Sequence, residues 1–155
     1  MLIISTGSNI GDRLLHISRA KEILSSHFIF VAESSIYTSP AVDYLNQPDF
    51  LNQVLQFEIP SIDQEKTIDT LLKIEIEMGR VRDINKGPRT IDLDIIFWGV
   101  ENYNSKNLTI PHPAWSKRSF IVLPLIELPF TKTLKQYFDF PTQFKNTAKK
   151  VIFNT

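Results

Sequence analysis

The chain has 155 residues, 43% hydrophobic and 22% charged, a composition that suits one globular domain spanning 1–155 and excludes a low-complexity or disordered segment. Its 17 basic and 17 acidic residues cancel, so the positive field of a general nucleic-acid binder is missing. Without cysteine there is no disulfide framework, thiolate metal site or cysteine nucleophile, and no apolar run approaches the roughly 20 residues that span a bilayer. The first residues lack the basic region of a secretory signal. The expectation is a cytoplasmic protein, working as a monomer on small molecules, with neither nucleic acid nor membrane as partner.

Leu2 to Thr6 is a short apolar run ending at Gly7-Ser8-Asn9, which predicts a buried strand and a turn. Asp12 then caps a helix to about His27, with Leu14, Ile17, Ala20 and Leu24 as its apolar stripe. Phe28 to Thr38, rich in β-branched and aromatic residues, predicts a second strand, and Ser39–Pro48 a loop. Phe50 to Ile59 alternates as a third strand, with Leu51, Leu55, Phe57 and Ile59 on one face and Phe50, Asn52 and Val54 on the other.

Ser61 and Gln64 have the spacing of a capping box for a second helix to about Met78. Its stripe is Ile68, Leu71, Leu72 and Met78. Glu75 falls on that stripe, an odd place for a carboxylate unless it faces a polar cleft. Arg80 to Arg89 is a charged loop and Thr90 to Trp98 a strand. Prolines hold Leu108 to Pro113 extended, and Ser119 to Leu128 predicts a helix broken at Pro124. The order β-α-β-β-α-β predicts an α+β ferredoxin-like sandwich with additional C-terminal helical elements.

The chemistry concentrates in Gly87-Pro-Arg-Thr-Ile-Asp-Leu-Asp-Ile-Ile96. Residues two apart in a strand share a face, so Asp92 and Asp94 point together, roughly 6.5–7 Å apart at Cα, while Ile91, Leu93 and Ile95 point to the core. Two carboxylates on one face of an apolar strand repel each other and call for a cation; their hard oxygens suit Mg²⁺, which also takes phosphate ligands, and their separation suits two ions. A bare Asp-x-Asp is more often a solvated strand face. Here Arg80, Arg82 and Arg89 stand just before the pair, and guanidinium forks bind phosphate. Carboxylates for Mg²⁺ beside arginines for phosphate are what a nucleoside triphosphate needs. His112 and Arg118 add a titratable ring and another cation on a stiff extended segment, although His112 alone reads more readily as a turn histidine. Asn52 shares its strand face with Phe50, an amide beside an aromatic that suits a flat heterocycle or a satisfied core position. Gly7-Ser8-Asn9 lacks the glycine spacing of a nucleotide-binding turn and reads as structural.

Together these pieces resemble the 6-hydroxymethyl-7,8-dihydropterin pyrophosphokinase family of folate biosynthesis. The similarity is carried in family order by Gly7-Ser8-Asn9, Ser34–Pro40, Gln47-Pro-Asp-Phe-Leu-Asn52, Gly79-Arg-Val-Arg82, the Gly87–Ile96 signature, Leu108-Thr-Ile-Pro-His-Pro113 and Arg118-Ser-Phe120. The resemblance implies transfer of pyrophosphate from ATP to the pterin hydroxymethyl group, releasing AMP. It implies two Mg²⁺ on Asp92 and Asp94, with Arg80, Arg89 and both aspartates as the catalytic set. ATP would be bound by Glu75, Arg80, Arg82, Arg89, His112 and Arg118. The pterin would meet Phe50, Asn52 and Phe120, with Ser39, Pro40 and Val42 adding backbone hydrogen bonds. Lys86 stands where the family often has a tryptophan, and Pro113 where an aromatic can follow the histidine. The competing readings are a ferredoxin-like binding module that has lost catalysis and another Mg²⁺-dependent nucleotidyltransferase. An inactive copy would most simply have lost Asp92 or Asp94, and both are present.

Overall fold

The structure is a computed structural model and describes residues 1–41, 46–80 and 88–153. The main elements are β1 (Leu2–Ser8), α1 (Arg13–His27), β2 (Phe30–Glu33), β3 (Tyr37–Ser39), β4 (Phe50–Phe57), α2 (Gln64–Glu77) and β5 (Asp92–Trp98). A small hairpin of β6 (Tyr103–Asn104) and β7 (Thr109–Ile110) follows, then a 3₁₀ turn (Trp115–Lys117), α3 (Ser119–Ile126), α4 (Thr131–Leu134) and β8 (Lys149–Lys150).

Among the described residues the sheet runs β5-β1-β4-β3-β8, with β2 also paired to β4, and every pairing is antiparallel. This is an α+β chain in which helices cover both faces of the sheet. Alternation decides which residue goes where. Leu2, Ile4, Leu55, Phe57, Leu93 and Ile95 pack with Ala20 and Leu24 of α1 and Leu71 and Ile74 of α2. On the opposite face Ile3, Val54, Ile96 and Phe97 pack with Trp115 and with Ile121, Val122 and Leu125 of α3.

The β1–β5 ladder slips by one residue, since Ile4 faces Ile95 while Ile3 faces Phe97. Ile96 is the extra residue of a β-bulge, so both Ile96 and Phe97 reach the α3 side, and its carbonyl accepts from His112 N at 3.0 Å.

Several elements differ from the sequence expectation for local reasons. The expected second strand is two, because Ser34 replaces regular pairing with its own side chain. Ser34 N donates to Val54 O at 3.0 Å, Val54 N donates to Ser34 Oγ at 3.0 Å, and Gln53 Nε2 donates to Ser34 O at 2.8 Å. Ser39, placed in the loop, is the last residue of β3, and the third strand stops at Phe57, leaving Ile59 exposed. Asp63 rather than Ser61 caps α2, its carboxylate accepting from Lys66 N at 2.9 Å. Asp12 caps α1 as expected, accepting from Leu15 N at 3.1 Å. Leu14 and Leu72, expected in the buried stripes, are exposed, and Ile74 fills the α2 core position instead. Pro124 does not break α3. The helix runs through it to Ile126, and as the sixth of eight helical residues Pro124 forgoes the one intrahelical bond that its nitrogen would have donated. No helix among the described residues is long and apolar enough to cross a membrane.

Candidate active site

The C-terminal end of β1 lies between β4 and β5, and its last residues form the floor of a cleft. Gly7 pairs with Asn52 on one side and with Asp92 on the other; Ser5 pairs with Asp94. Strand spacing therefore puts the amide of Asn52 and the carboxylate of Asp92 on one cross-sheet row, about 10 Å apart at the backbone, with only a glycine between. The cleft spans about 590 Å³, part of it open to solvent, and is walled by Ser39, Pro40, Gln47, Phe50, Arg89, Arg118 and Phe120 as well as Asp94. Gly7 is needed at that floor: a Cβ there would stand 3.3 Å from Asn52 Oδ1 and 3.4 Å from the Phe50 ring.

At one end, Asn52 Nδ2 donates to Ser39 Oγ at 2.7 Å, fixing the amide plane while Asn52 is only 5% exposed. Phe50 and Phe120 border the same end, and the Arg118 guanidinium lies over the Phe120 ring at 5.6 Å.

Charge gathers at the other end. Asp92 accepts from Arg80 Nη1 and from Arg89 Nη1, each at 3.1 Å. Arg80 Nη1 also meets Glu75 Oε2 at 2.7 Å, and the same Glu75 oxygen accepts from Leu93 N at 2.8 Å. Glu75, anomalous on an apolar stripe, is buried because it ties α2 to β5 and anchors Arg80. Arg80 Nε is buried without a hydrogen-bond partner among the described residues.

Among the described residues no guanidinium is hydrogen-bonded to Asp94. Burial, with Asp92 and Glu75 nearby, raises its pKa to about 7, only partly offset by Arg118 and Arg89. His112 is moved the other way, lowered to about 4 by burial and then by Arg118. Its Nδ1 accepts from Ala114 N at 3.1 Å, which leaves Nε2 to carry the ring proton. His112 lines a second cleft with Asp94, Ile68, Ile95, Leu108 and Thr109, so Asp94 borders both.

Asp92 and Asp94 offer hard oxygen donors on one face. Among the described residues no group of three or more His, Cys, Asp or Glu side chains is placed to cage a metal. A Mg²⁺ held here would draw its remaining ligands from water or from phosphate, as that ion commonly does. The donor set fits it: two carboxylates share a face, with Asp94 buried beside Asp92.

The structure thus brings together Ser39, Pro40, Phe50, Asn52, Arg89, Asp92, Asp94, Arg118 and Phe120 around one cleft. Arg80 and Glu75 stand behind Asp92, and His112 lies in the adjoining cleft. Val42 and Arg82 lie outside the described residues, as does Lys86. The sequence reading missed Gln47, the β1 floor and the Leu108–Thr109 wall. It also missed the work of Asn9, which donates to Gln47 Oε1 at 2.8 Å and Pro48 O at 3.1 Å while accepting from Arg89 N at 2.7 Å. The turn motif carried that signal but not its partners.

The sequence profile of the family described as 7,8-dihydro-6-hydroxymethylpterin-pyrophosphokinase matches residues 3–129. The chain is 37% identical over 127 residues to the 2-amino-4-hydroxy-6-hydroxymethyldihydropteridine pyrophosphokinase of Bacillus subtilis, covering 81% of this chain and 75% of that one. Identity to the protein of the same name from Aquifex aeolicus is 36% over 141 residues, 86% of this chain and 88% of that one. The Folic acid synthesis protein fol1 of Pneumocystis carinii is 43% identical over 126 residues, 81% of this chain but only 17% of that much longer protein. With the profile spanning most of the chain and both bacterial pyrophosphokinases aligned over most of their length, the chain belongs to the 7,8-dihydro-6-hydroxymethylpterin-pyrophosphokinase family.

Proposed function

We propose that the chain transfers the pyrophosphoryl group of ATP to the hydroxymethyl group of 6-hydroxymethyl-7,8-dihydropterin, releasing AMP, on a ferredoxin-like βαββαβ frame. The observation that carries the reading is the cross-sheet row Asp92–Gly7–Asn52, which sets a heterocycle-reading amide and a charged cluster at opposite ends of one cleft. The strand order β5-β1-β4-β3, with α1 and α2 following β1 and β4, supports the frame.

At the pterin end, Asn52, held by Ser39, pairs with the polar edge of the ring while Phe50 and Phe120 flank its faces. Pro40 extends that wall, and Val42 contributes a backbone hydrogen bond to the ring. A site built to satisfy every polar group of a heterocycle rejects analogues that lack one. At the other end Arg80, Arg82 and Arg89 bind the triphosphate, and Arg118, over Phe120 and close enough to act on Asp94, reaches it from the pterin side. Arg80 and Arg89 are already oriented by Asp92, and Glu75 holds Arg80 from behind. The second cleft, with Ile68, Ile95, Leu108 and His112, receives the nucleoside. Neutral at physiological pH, His112 adds no charge there and offers its Nε2–H as a donor.

Asp92 and Asp94 would hold two Mg²⁺ ions, which when bound neutralise charge on the phosphate oxygens. In the reaction the pterin hydroxyl oxygen bonds to the β-phosphorus. The bond from that phosphorus to the oxygen bridging the α-phosphate breaks, AMP departs with that oxygen, and the hydroxyl proton is released. The chain's own part is to align these atoms and to exclude water, whose attack on ATP is the competing reaction.

Product identity tests this. With ATP, Mg²⁺ and 6-hydroxymethyl-7,8-dihydropterin, chromatography should resolve AMP and a pyrophosphorylated pterin in equal amounts. ADP in place of AMP overturns the mechanism. Binding of both compounds without turnover shows a module that has lost catalysis.

A further inference from the structure

We infer that Ser119 and the C-terminal segment 145–150 form a brace that holds Arg118 and Phe120 in place beside the pterin, with Ser119 as a positioning residue. The inference rests on the proposed reading of the cleft as a pterin site.

Ser119 opens α3 and is 3% exposed, while its neighbours on both sides, Arg118 and Phe120, line the cleft. Its hydroxyl donates to Asn146 O at 2.8 Å and accepts from Ala148 N at 2.7 Å. One side chain thereby satisfies a donor and an acceptor of the tail two residues apart, as a strand partner would. Beyond Ala148 the tail pairs with β3, Lys149 opposite Thr38 and Lys150 opposite Tyr37, and Val151 N donates to Ile36 O at 2.9 Å. Lys150 Nζ lies 3.7 Å from the Glu127 carboxylate, which itself accepts from Ser35 and Tyr37.

The tail therefore touches both walls of the cleft: the start of α3, which presents Arg118 and Phe120, and β3, which ends on the Ser39 that orients Asn52. A side cavity of about 570 Å³ separates those walls, lined by Pro40, Lys117 and Lys145 together with Ser39, Arg118 and Phe120. Across that gap the tail, through Ser119, provides a continuous hydrogen-bonded link. The Arg118–Phe120 stacking means that the two side chains shift together when the start of α3 shifts. The family profile ends at residue 129, so it covers Ser119 but not the tail segment 145–150 that Ser119 bonds.

The test compares the full chain with Ser119→Ala, which removes both hydrogen bonds to the tail, with Ala148→Pro, which removes one of them from the tail side, and with the double variant. Pterin and ATP dissociation constants are measured by calorimetry, and the folded fraction by thermal unfolding. Each single variant should weaken pterin binding about tenfold while ATP affinity changes less than about threefold, and the double should be no worse than the poorer single. Ser119→Thr, which keeps the hydroxyl, should restore binding. A merely structural role would lower the folded fraction and leave the pterin constant of the folded protein unchanged, which overturns the brace. Multiplying effects, or loss from Ala148→Pro without loss from Ser119→Ala, overturn it as well. Should Ser119→Ala fail to fold, the pterin constant of Ala148→Pro decides. A wild-type chain that does not bind the pterin would instead bring down the reading of the cleft, and the brace with it.

Discussion

Replacing Gly7 with alanine probes the geometry of the cleft floor with one carbon atom. Gly7 is not among the glycines with positive φ, so its extended backbone accepts a side chain without strain. The new methyl would lie 3.3 Å from Asn52 Oδ1, 3.4 Å from Phe50 Cδ1 and 3.7 Å from Leu51 O. Ordinary carbon contacts begin near 3.5 Å, so the amide and the ring must each retreat by roughly 0.1–0.3 Å. That displacement pulls on the 2.7 Å bond from Asn52 to Ser39 and sets the methyl into the floor beneath a bound ring. A misplaced hydrogen bond to a heterocycle costs about 1–2 kcal/mol, or about 5- to 30-fold in Kd. Global stability should hold, because alanine restricts the unfolded chain more than glycine does. Fluorescence titration of Gly7→Ala should therefore show a weaker pterin complex, an ATP affinity close to wild type and an unchanged melting midpoint. Equal loss of both ligands, or a pterin Kd within twofold of wild type, would refute the argument that Gly7 serves the Asn52 end.

Other expectations follow from the charged end. Asp92→Ala and Asp94→Ala should each reduce Mg²⁺-dependent turnover by at least about a thousandfold with the fold retained; a Mg²⁺ response equal to wild type would sink the metal assignment. Asn52→Ala should weaken pterin binding and spare ATP, and equal loss of both would argue against its role. In metal-free buffer, Asp94, raised to about 7, contributes stability that is full below its unfolded pKa near 4 and is lost as pH rises to about 7. His112, lowered to about 4, contributes stability that is full above about 6.5 and is lost as pH falls to about 4. The two slopes oppose each other across the same window. Asp94→Asn should accordingly make stability climb with pH between 4 and 7, and His112→Gln should make it fall. Denaturant midpoints at three pH values measure this, and parallel profiles for both variants would contradict it.

How much of this was legible in the sequence depended on range. The shared face of Asp92 and Asp94 follows from a period of two in a strand, and β5 keeps that period from Asp92 through Ile95. Asn52 and Phe50 were likewise placed together by alternation alone. The cap of α2 was ambiguous because Ser61 and Asp63 are both good caps two residues apart. Asp63 wins with Ile62 packed against the core just before it, an anchor that tertiary packing supplies. Less could be read of Asn9, whose partners lie 38 to 80 residues away, since a turn motif says nothing of what its amide will reach. The interruption between β2 and β3 was hidden for the same reason. Ser34 has an ordinary place in a β-rich run until Val54 and Gln53 arrive to bond it.

The bulge in β5 has a bearing on how this strand can change length. Because Ile96 and Phe97 share a side, excising Ile96 would leave Asp92, Asp94 and Phe97 on one face and Leu93, Ile95 and Trp98 on the other, as they are now. The strand would simply straighten against β1. What would vanish is the Ile96 carbonyl that holds His112, so the carboxylates would stay where they are while the histidine segment lost its tether. Ile96 is thus a seam between two parts of the site: one follows the pleat of the sheet, the other is tied to the strand by a backbone bond at a surplus residue. A one-residue deletion at this point would separate them, leaving the first intact and the second held by Leu108 and Ile110 in the core without its backbone tie to β5.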